Sequence, residues 1–489
     1  MTSPNATFVS SLRDRQLSRR VLAFLLLVTI ARSIAIITSP LELGVDEAQY
    51  WLWSQAFDFG YYTKPPLTSW IIGLSHAIFG HEIWAVRLPA PWLHLATALV
   101  LGRVAHQFYG PAGARWASIL WILLPATSLG SFVISTDTPL LLAWSLGLWA
   151  LAHALNNDRA RTGMMLAGAA FGIGMLAKYA AIYALVGMVL LAGWHFISAT
   201  QKTIKPVNLA LFILAMVIAA SPNLLWNITN DFTTVRHLGD NANLANQNYD
   251  FGHVIDFVAA QFFVAGPVVF ALMLLVLLPR QNDPSRRLAI AFSMPVLCAM
   301  MVQAYLSEAN ANWAITALPI LVVWLSGWLA SAGGLRWGLL ANAVNGGIAA
   351  VFLMASMAGT LGPMTPKSDP LRHLRNWQLL AADIRPIIDA HEATLIVADR
   401  RASAALLSWH FYDQDVAIRV HDDDAIPSNH FEQNLAWSPQ AGRRIIAIDG
   451  RDTPPALAGV TWQAQSTLSR HSISDRRNRS LYIYRGIEQ

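Results

Sequence analysis

The feature that most constrains this chain is a succession of apolar runs, such as residues 21–38, 139–155 and 207–225, each broken from the next by a short basic or polar loop. Each run is long enough to cross a hydrocarbon core of ~30 Å. Charged residues make up only 13% of the chain, about half the usual share, and mean hydropathy is +0.41. A hydrophobic-window reading places about eleven spans, at 20–38, 86–106, 114–133, 138–156, 163–178, 181–198, 207–227, 254–279, 288–306, 313–331 and 337–360. No small-residue cleavage site follows the first run, so it is expected to stay as a helix rather than leave as a signal peptide. The single cysteine, Cys298, excludes an intrachain disulfide.

Orientation follows from where the cations fall. The N-terminal tail carries Arg13, Arg15, Arg19 and Arg20, and alternate loops carry Arg103 with Arg115, Arg159 with Arg161, Lys202 with Lys205, Arg280 with Arg286 and Arg287, and Arg336. The loops between them hold mainly Lys64, Lys178 and Arg236. The basic side is therefore expected in the cytoplasm, and an odd number of crossings puts the C-terminus outside. This scatter of cations between apolar segments also explains the net charge of +5 better than a nucleic-acid patch does. Arg32 is the exception, a charge inside the first run that must either snorkel or face other helices.

From about Gly362 the composition turns polar, with Pro363, Pro366 and Pro370 marking a linker. Helices are expected at 371–390 and 403–412, with short strands at 394–398, 418–420, 444–448 and 481–484. The fold class expected is a polytopic α-helical membrane protein over residues 1–362, with a small soluble α/β domain over 363–489. No nucleotide-binding glycine loop appears in that domain.

The assigned orientation gathers Asp46, Glu47, Lys64, Asp137, Lys178, His237, Asp240 and Glu308 at the outer face. Charge at a bilayer centre costs about 2.5–3.5 kcal/mol on insertion scales, so ionisable groups collected at one face point to a site there. The densest segment, residues 43–70, reads LGVDEAQYWLWSQAFDFGYYTKPPLTSW. It is expected to lie along the outer interface with Tyr50, Trp53 and Phe57 on one helical face as anchors. Asp46 has the N-cap position and Gln49 the capping-box spacing, an arrangement that would fix the carboxylate's direction. Lys64 is stiffened by Pro65–Pro66, and Lys178 sits between two apolar helices; two such cations suit a lipid-linked phosphate. Each lysine alone is also compatible with snorkelling, and Asp137 before Thr138–Pro139 with a helix start. Around Arg236, His237 and Asp240 there is no metal-ligand spacing.

The run DEAQYWLWSQAFDFGYYTKPPLTSW resembles the first outer loop of the phospholipid-carrier-dependent glycosyltransferases, which include the protein O-mannosyltransferases and the bacterial lipid A aminoarabinose transferases. STDTPLLLAW, LAKYAAIY, SPNLLWNITNDFTTVRHLGDNAN and EANANWAITALP resemble later landmarks of the bacterial branch, in order, over about residues 40–320. The resemblance implies a GT-C fold and a sugar donor carried on polyprenyl phosphate. It makes Asp46 the catalytic carboxylate and Asp137 a second acidic position; Glu47, by its place beside Asp46, would raise the pKa of one of the two, an arrangement for proton handling. Lys64 and Lys178 become donor-phosphate cations; a uronic acid donor would bring a carboxylate that needs a further cation, for which Arg236 is the candidate. Tyr61, Tyr62, His237, Asp240 and Glu308 are the candidate acceptor or sugar contacts, although SEANANW departs from the family's acidic–Asn–Trp pattern. No cofactor is expected and a divalent metal is left open. The acceptor expected is an envelope glycolipid, lipid A or lipopolysaccharide core. A protein O-mannosyltransferase with a Ser/Thr acceptor and a non-enzymatic polyprenyl-lipid flippase are the alternatives.

Overall fold

The computed structural model describes residues 4–156, 160–198, 204–241, 249–278, 285–362, 369–421, 429–467 and 482–489. The linker prolines Pro363 and Pro366 and the strand start at Leu481 lie outside the described residues. In chain order the helices are α1 (Pro4–Ile37), α2 (Val45–Ser54), α3 (Leu67–Phe79), α4 (Ile83–Arg87), α5 (Pro89–Leu123), α6 (Pro125–Gly130) and α7 (Asp137–Asn156). There follow α8 (Ala160–Ala177), α9 (Tyr183–Ser198), α10 (Pro206–Thr229), α11 (Thr233–Asn241), α12 (Phe251–Ala265), α13 (Pro267–Met273) and α14 (Arg286–Leu306). The last are α15 (Leu318–Leu329), α16 (Leu335–Ala358), α17 (Trp377–His391), α18 (Arg401–His410) and α19 (His430–Asn434). They form two compact units. One comprises Met1–Ile37, Lys64–Thr68 and Arg87–Leu353; the other comprises Thr38–Thr63, Ser69–Val86 and Met354–Gln489.

The first unit is a helical bundle. Among the described residues, eight helical segments are long and apolar enough to cross a membrane, and nine if the bent α12–α13 pair is one span. The chain is thus a multi-pass membrane protein. Three places account for the difference from eleven. The segments expected at 86–106 and 114–133 belong to one helical stretch that reverses at Gly110, whose φ of 66° a side chain would resist. Its two arms pack back on each other, since Ser118 Oγ donates to Ala98 O at 2.9 Å and a Cβ on Gly102 would lie 2.3 Å from that hydroxyl. The segment expected at 181–198 is helical as α9, entered through the 3-10 turn Tyr179–Ile182, but the stretch whose side chains are described, Tyr179–Trp194, falls short of the 18 residues taken for a full crossing. The single span expected at 254–279 is instead broken, with a 114° bend between α12 and α13. Gly266 (φ 90°) and Pro267 make the break, and Asn345 Nδ2 donates to the freed Ala265 carbonyl at 3.0 Å. Irregular backbone inside a bundle persists where such a partner satisfies it.

Arg32 is buried, with 3% of its surface exposed, and faces other helices rather than snorkelling. Its guanidinium donates to Ile122 O (2.8 Å), Ser128 Oγ (2.8 Å) and Ser131 Oγ (3.2 Å). The chain leaves helical geometry at Leu124 (ψ 140°), which frees the Ile122 carbonyl for this use. Deeper in the bundle Phe171 touches Trp144, Phe212 and Phe292, with centroids 5.0, 5.9 and 5.8 Å away.

The second unit carries a five-stranded sheet in the order β2-β1-β3-β5-β4, where β1 is Leu395–Ala398, β2 Ala417–Val420, β3 Arg444–Asp449, β4 Val460–Thr467 and β5 Tyr482–Glu488. The first three strands are parallel, and β5 and β4 add antiparallel at one side. All four residues of β1 are buried, as a central parallel strand covered on both faces requires. The half-exposed β4, with a bulge between Trp462 and Ala464, and the single-turn α19 have no counterpart among the strands and helices expected from sequence.

Tyr50 and Trp53, expected as membrane anchors, are buried in this unit (4% and 1% exposed), while Phe57 lies past the end of α2 and is exposed. Trp51 is fully buried, against His81 (5.0 Å), Trp409 (4.8 Å) and Tyr412 (5.3 Å). The tryptophans of the motif therefore build a core. Trp53 also meets His430 edge-on at 5.4 Å. Burial pushes the His430 imidazole down to about 4, and its Nδ1 lies 3.1 Å from Asn434 Nδ2. An unfolded histidine titrates near 6.5, so between the two values the unfolded chain binds the extra proton. The stability this residue contributes is complete above about pH 6.5 and is lost as pH falls towards 4. Thermal melts of the full chain across that window should show the midpoint fall, and His430→Gln should flatten the slope. An equal slope in the variant would place the pH sensitivity elsewhere.

Candidate active site

In the helical unit the structure brings Asp137 and Lys178 together. Asp137 opens α7, its N–H facing Ser135 Oγ at 3.3 Å. α8 ends at Ala177, and Lys178 turns to extended backbone (φ −159°, ψ 136°) before the 3-10 turn Tyr179–Ile182. That break, between two apolar helices, projects the lysine out of the helix path, and its Nζ donates to Asp137 Oδ1 at 2.7 Å. Asn312 Nδ2 donates to the other oxygen, Oδ2, at 2.7 Å. Both side chains of the ion pair are mostly shielded, with 18% of Lys178 and 12% of Asp137 exposed. A pair so placed is directional, unlike a solvated surface pair. Asn312 is held by the 3-10 turn Ala311–Ala317, whose first carbonyl accepts from Gln261 Nε2 at 3.1 Å. Next along the chain, Tyr179 donates to Asn223 Oδ1 at 2.7 Å and accepts from Asn227 Nδ2 at 2.9 Å.

Lys64 is half-buried in the same unit. Arg236 is exposed and His237 half-buried on α11, and the Asp240 side chain lies outside the described residues. Glu308 is exposed in the loop after α14; the residue of its segment that reaches Asp137 is Asn312. Among the described residues no group of three or more His, Cys, Asp or Glu could hold a metal ion.

The second unit contains Asp46 and Glu47. The capping interaction expected from Asp46 and Gln49 is formed two residues earlier, and only its N3 half is present. Gly44, extended at φ −73° and ψ 160°, is the N-cap, which makes Glu47 the N3 residue, and Glu47 Oε2 accepts from Gly44 N at 2.9 Å. Glu47 is thus buried at 1% exposure and engaged with the backbone. Gln49 is equally buried, and neither atom of its carboxamide has a hydrogen-bond partner. Asp46 falls in the first turn, where the helix dipole favours a carboxylate. Its side chain is 63% exposed and Arg401, the first residue of α18, donates to it. Tyr61 is buried, its ring stacked on Trp53 at 4.8 Å and its hydroxyl 2.8 Å from Trp53 O. Burial pushes that phenol up to about 12, so Tyr61 is occupied with closing the motif. Tyr62 beside it is half-buried.

Two residues of these clusters escaped sequence reasoning. Asn312 stands in a run of asparagines with nothing to single it out, and Arg401 in a run of three charges. Each contacts its carboxylate across a long stretch of chain, 175 residues for Asn312 and 355 for Arg401.

Residues 63–226 match the family profile described as dolichyl-phosphate-mannose-protein mannosyltransferase. Along 451 residues the chain is 32% identical to the lipid A galacturonosyltransferase RgtD of Rhizobium johnstonii, covering 89% of this chain and 92% of RgtD. The lipopolysaccharide core galacturonosyltransferase RgtA of the same organism is 27% identical over 192 residues, 36% of this chain and 37% of RgtA. Among solved structures, ArnT from Cupriavidus metallidurans bound to undecaprenyl phosphate superposes with a TM-score of 0.67, at 16% identity over 96% of this chain and 98% of ArnT. The last likeness establishes the polytopic GT-C fold, and the near full-length identity to RgtD establishes kinship. The chain belongs to the GT-C glycosyltransferase family that contains the lipid A galacturonosyltransferase RgtD.

Proposed function

We propose that this enzyme moves a sugar, galacturonic acid by its likeness to RgtD, from a polyprenyl-phosphate donor to lipid A or the lipopolysaccharide core. The observation that carries the reading is the 32% identity to RgtD over nearly the whole of both chains. In the reaction an acceptor hydroxyl oxygen forms a bond to the anomeric carbon as the bond from that carbon to the donor phosphate oxygen breaks. Asp46 takes the hydroxyl proton, or steers the acceptor if that is already an anionic phosphate. The polyprenyl phosphate leaves with the electron pair, and Lys64 and Lys178 stabilise the charge it gains. Asp137 and Asn312 aim the Lys178 ammonium. A uronic acid brings a carboxylate of its own; Arg401, already seated on a carboxylate, suits that group, as does Arg236. Tyr62, His237, Asp240 and Glu308 remain candidates for acceptor contacts.

The cation distribution supports an inner-membrane protein with about eleven crossings, its N-terminus in the cytoplasm and its soluble domain in the periplasm. A donor that arrives within the membrane makes a nucleotide sugar unnecessary on that side. The test is mass spectrometry of lipid A and core oligosaccharide from a strain lacking this gene, against its parent. The expected result is loss of one uronic acid residue, restored by the wild-type gene and not by Asp46→Asn. Unchanged glycolipids would favour a protein acceptor. Restoration by Asp46→Asn at the wild-type level would remove Asp46 as the base and leave the flippase reading standing.

A further inference from the structure

Asp137 is the first residue of α7, and what delivers it there is an irregular connector, residues 124–136, that follows α5. The connector leaves helical geometry at Leu124, forms the short helix α6, and continues from Ser131 to Thr136 with neither helix nor strand. Phe132, Ile134 and Thr136 are buried, so this segment lies inside the bundle. Irregular backbone there has little water to satisfy it and depends on side chains that reach it.

Arg32 reaches it from α1. Its Nη2 donates to Ile122 O and Ser128 Oγ, and its Nη1 donates to Ser131 Oγ. The three acceptors belong to the last turn of α5, to α6, and to the residue just after α6. Ser131 Oγ in turn donates to Thr127 O at 2.7 Å. Gly130, between the two serines, packs on His94 of α5, where a Cβ would lie 3.0 Å from Nε2. A second helix thus leaves the connector little room to shift, and Asp137 is six residues beyond Ser131.

The choice of arginine fits that task. A charge buried in a membrane bundle is costly to keep, and the transfer chemistry does not call on this one. Its planar fork meets three acceptors at once, where a lysine offers a single point. One acceptor is a carbonyl at the C-terminal end of α5, where the helix dipole favours a cation.

We propose that Arg32 is a positioning residue of the active site: by fixing the connector it sets Asp137 where it meets Lys178 and Asn312. This role rests on the reading of Lys178 as a donor-phosphate cation, yet the placement itself can be tested without any transfer. The measurement is acetylation of Lys178 by acetic anhydride in the full-length protein in detergent, read by peptide mass spectrometry. Held by Asp137 and only 18% exposed, Lys178 should label slowly in the wild type. Arg32→Lys keeps the charge and loses the fork. Ser128→Ala/Ser131→Ala keeps the arginine and removes two of its acceptors, so the question stays open to test if either protein fails to fold. A hydrogen bond to a charged group holds it by a factor of about ten or more, so both variants should label Lys178 roughly tenfold faster, approaching Asp137→Asn. Wild-type labelling in both would overturn the proposal. So would a lower unfolding temperature with no gain in labelling, which would leave Arg32 a part of the fold alone.

Transfer by Arg32→Lys should fall by at least about tenfold, since small misplacements of a reacting group are costly. Added to Lys178→Ala, the same substitution should cost little more, because the two act through one group; fully additive losses would overturn the link. Faster labelling with transfer at the wild-type rate would support the placement and count instead against the role of Lys178 in transfer.

Discussion

Lys178→Ala is expected to lower sugar transfer by roughly 10²–10³-fold, the usual loss when one preorganised donor to a developing oxyanion is removed. The argument rests on how the ammonium is held. Lys178 leaves α8 as the helix ends, and its Nζ is fixed 2.7 Å from Asp137, whose second oxygen is occupied by Asn312. The lysine therefore spends little conformational freedom on meeting a phosphate, which is what makes an electrostatic group effective in the transition state. Two further variants separate catalysis from structure. Lys178→Arg keeps the charge but changes its shape, and should recover part of the rate. Asp137→Asn keeps the shape but releases the ammonium, and should weaken donor use while sparing the fold. Steady-state transfer from a polyprenyl-phosphate sugar, with thermal unfolding measured beside it, decides the matter. If Lys178→Ala transfers at the wild-type rate, the lysine serves only to neutralise Asp137.

Gly168→Leu should disrupt the bundle itself. α8 carries the spacing Gly168-x-x-x-Gly172, and both glycines sit against the backbone of α10. A Cβ at Gly168 would lie 2.0 Å from Phe212 O, and one at Gly172 would lie 2.4 Å from Met216 O. Small residues let helix backbones approach closely in a membrane, where packing rather than water drives association. Neither neighbour can rotate away, because each is a carbonyl of the partner helix. Overpacking in cores typically costs about 1–3 kcal/mol, and a backbone clash belongs at or above the top of that range. The expected result is a large drop in the yield of folded protein and in its unfolding temperature in detergent. Gly193→Leu is the control, since nothing lies within 4 Å of a Cβ there. Equal behaviour of the two variants would show that α8 and α10 can part at no cost.

Much of the architecture was legible before any coordinates. Transfer into hydrocarbon is close to additive over contiguous residues, so the runs that became α1, α7, α8, α10, α14 and α16 could be recognised from the chain alone. The turn of the chain between α12 and α13 was also written locally, as Gly266–Pro267, but a window average smooths over two residues. Cap register was misplaced for a similar reason. Asp46–Gln49 and Gly44–Glu47 are overlapping four-residue windows, and only the extended backbone at Gly44 chose between them.

The sequence by itself determined that the chain spans a membrane many times, and it singled out Asp46, Asp137, Lys64 and Lys178 as the candidate groups. It determined too the apolar strands Leu395–Ala398 and Arg444–Asp449, because four or five successive buried residues leave a local signature. Tertiary structure alone decided what those ionisable groups meet. Asn312 on Asp137, Arg401 on Asp46, and Arg32 on Ser128 and Ser131 are all contacts between residues remote in the chain. A pairing of that kind has no period and no propensity to betray it. It depends on how helices close against one another, and the energy that selects it exists only once they have packed.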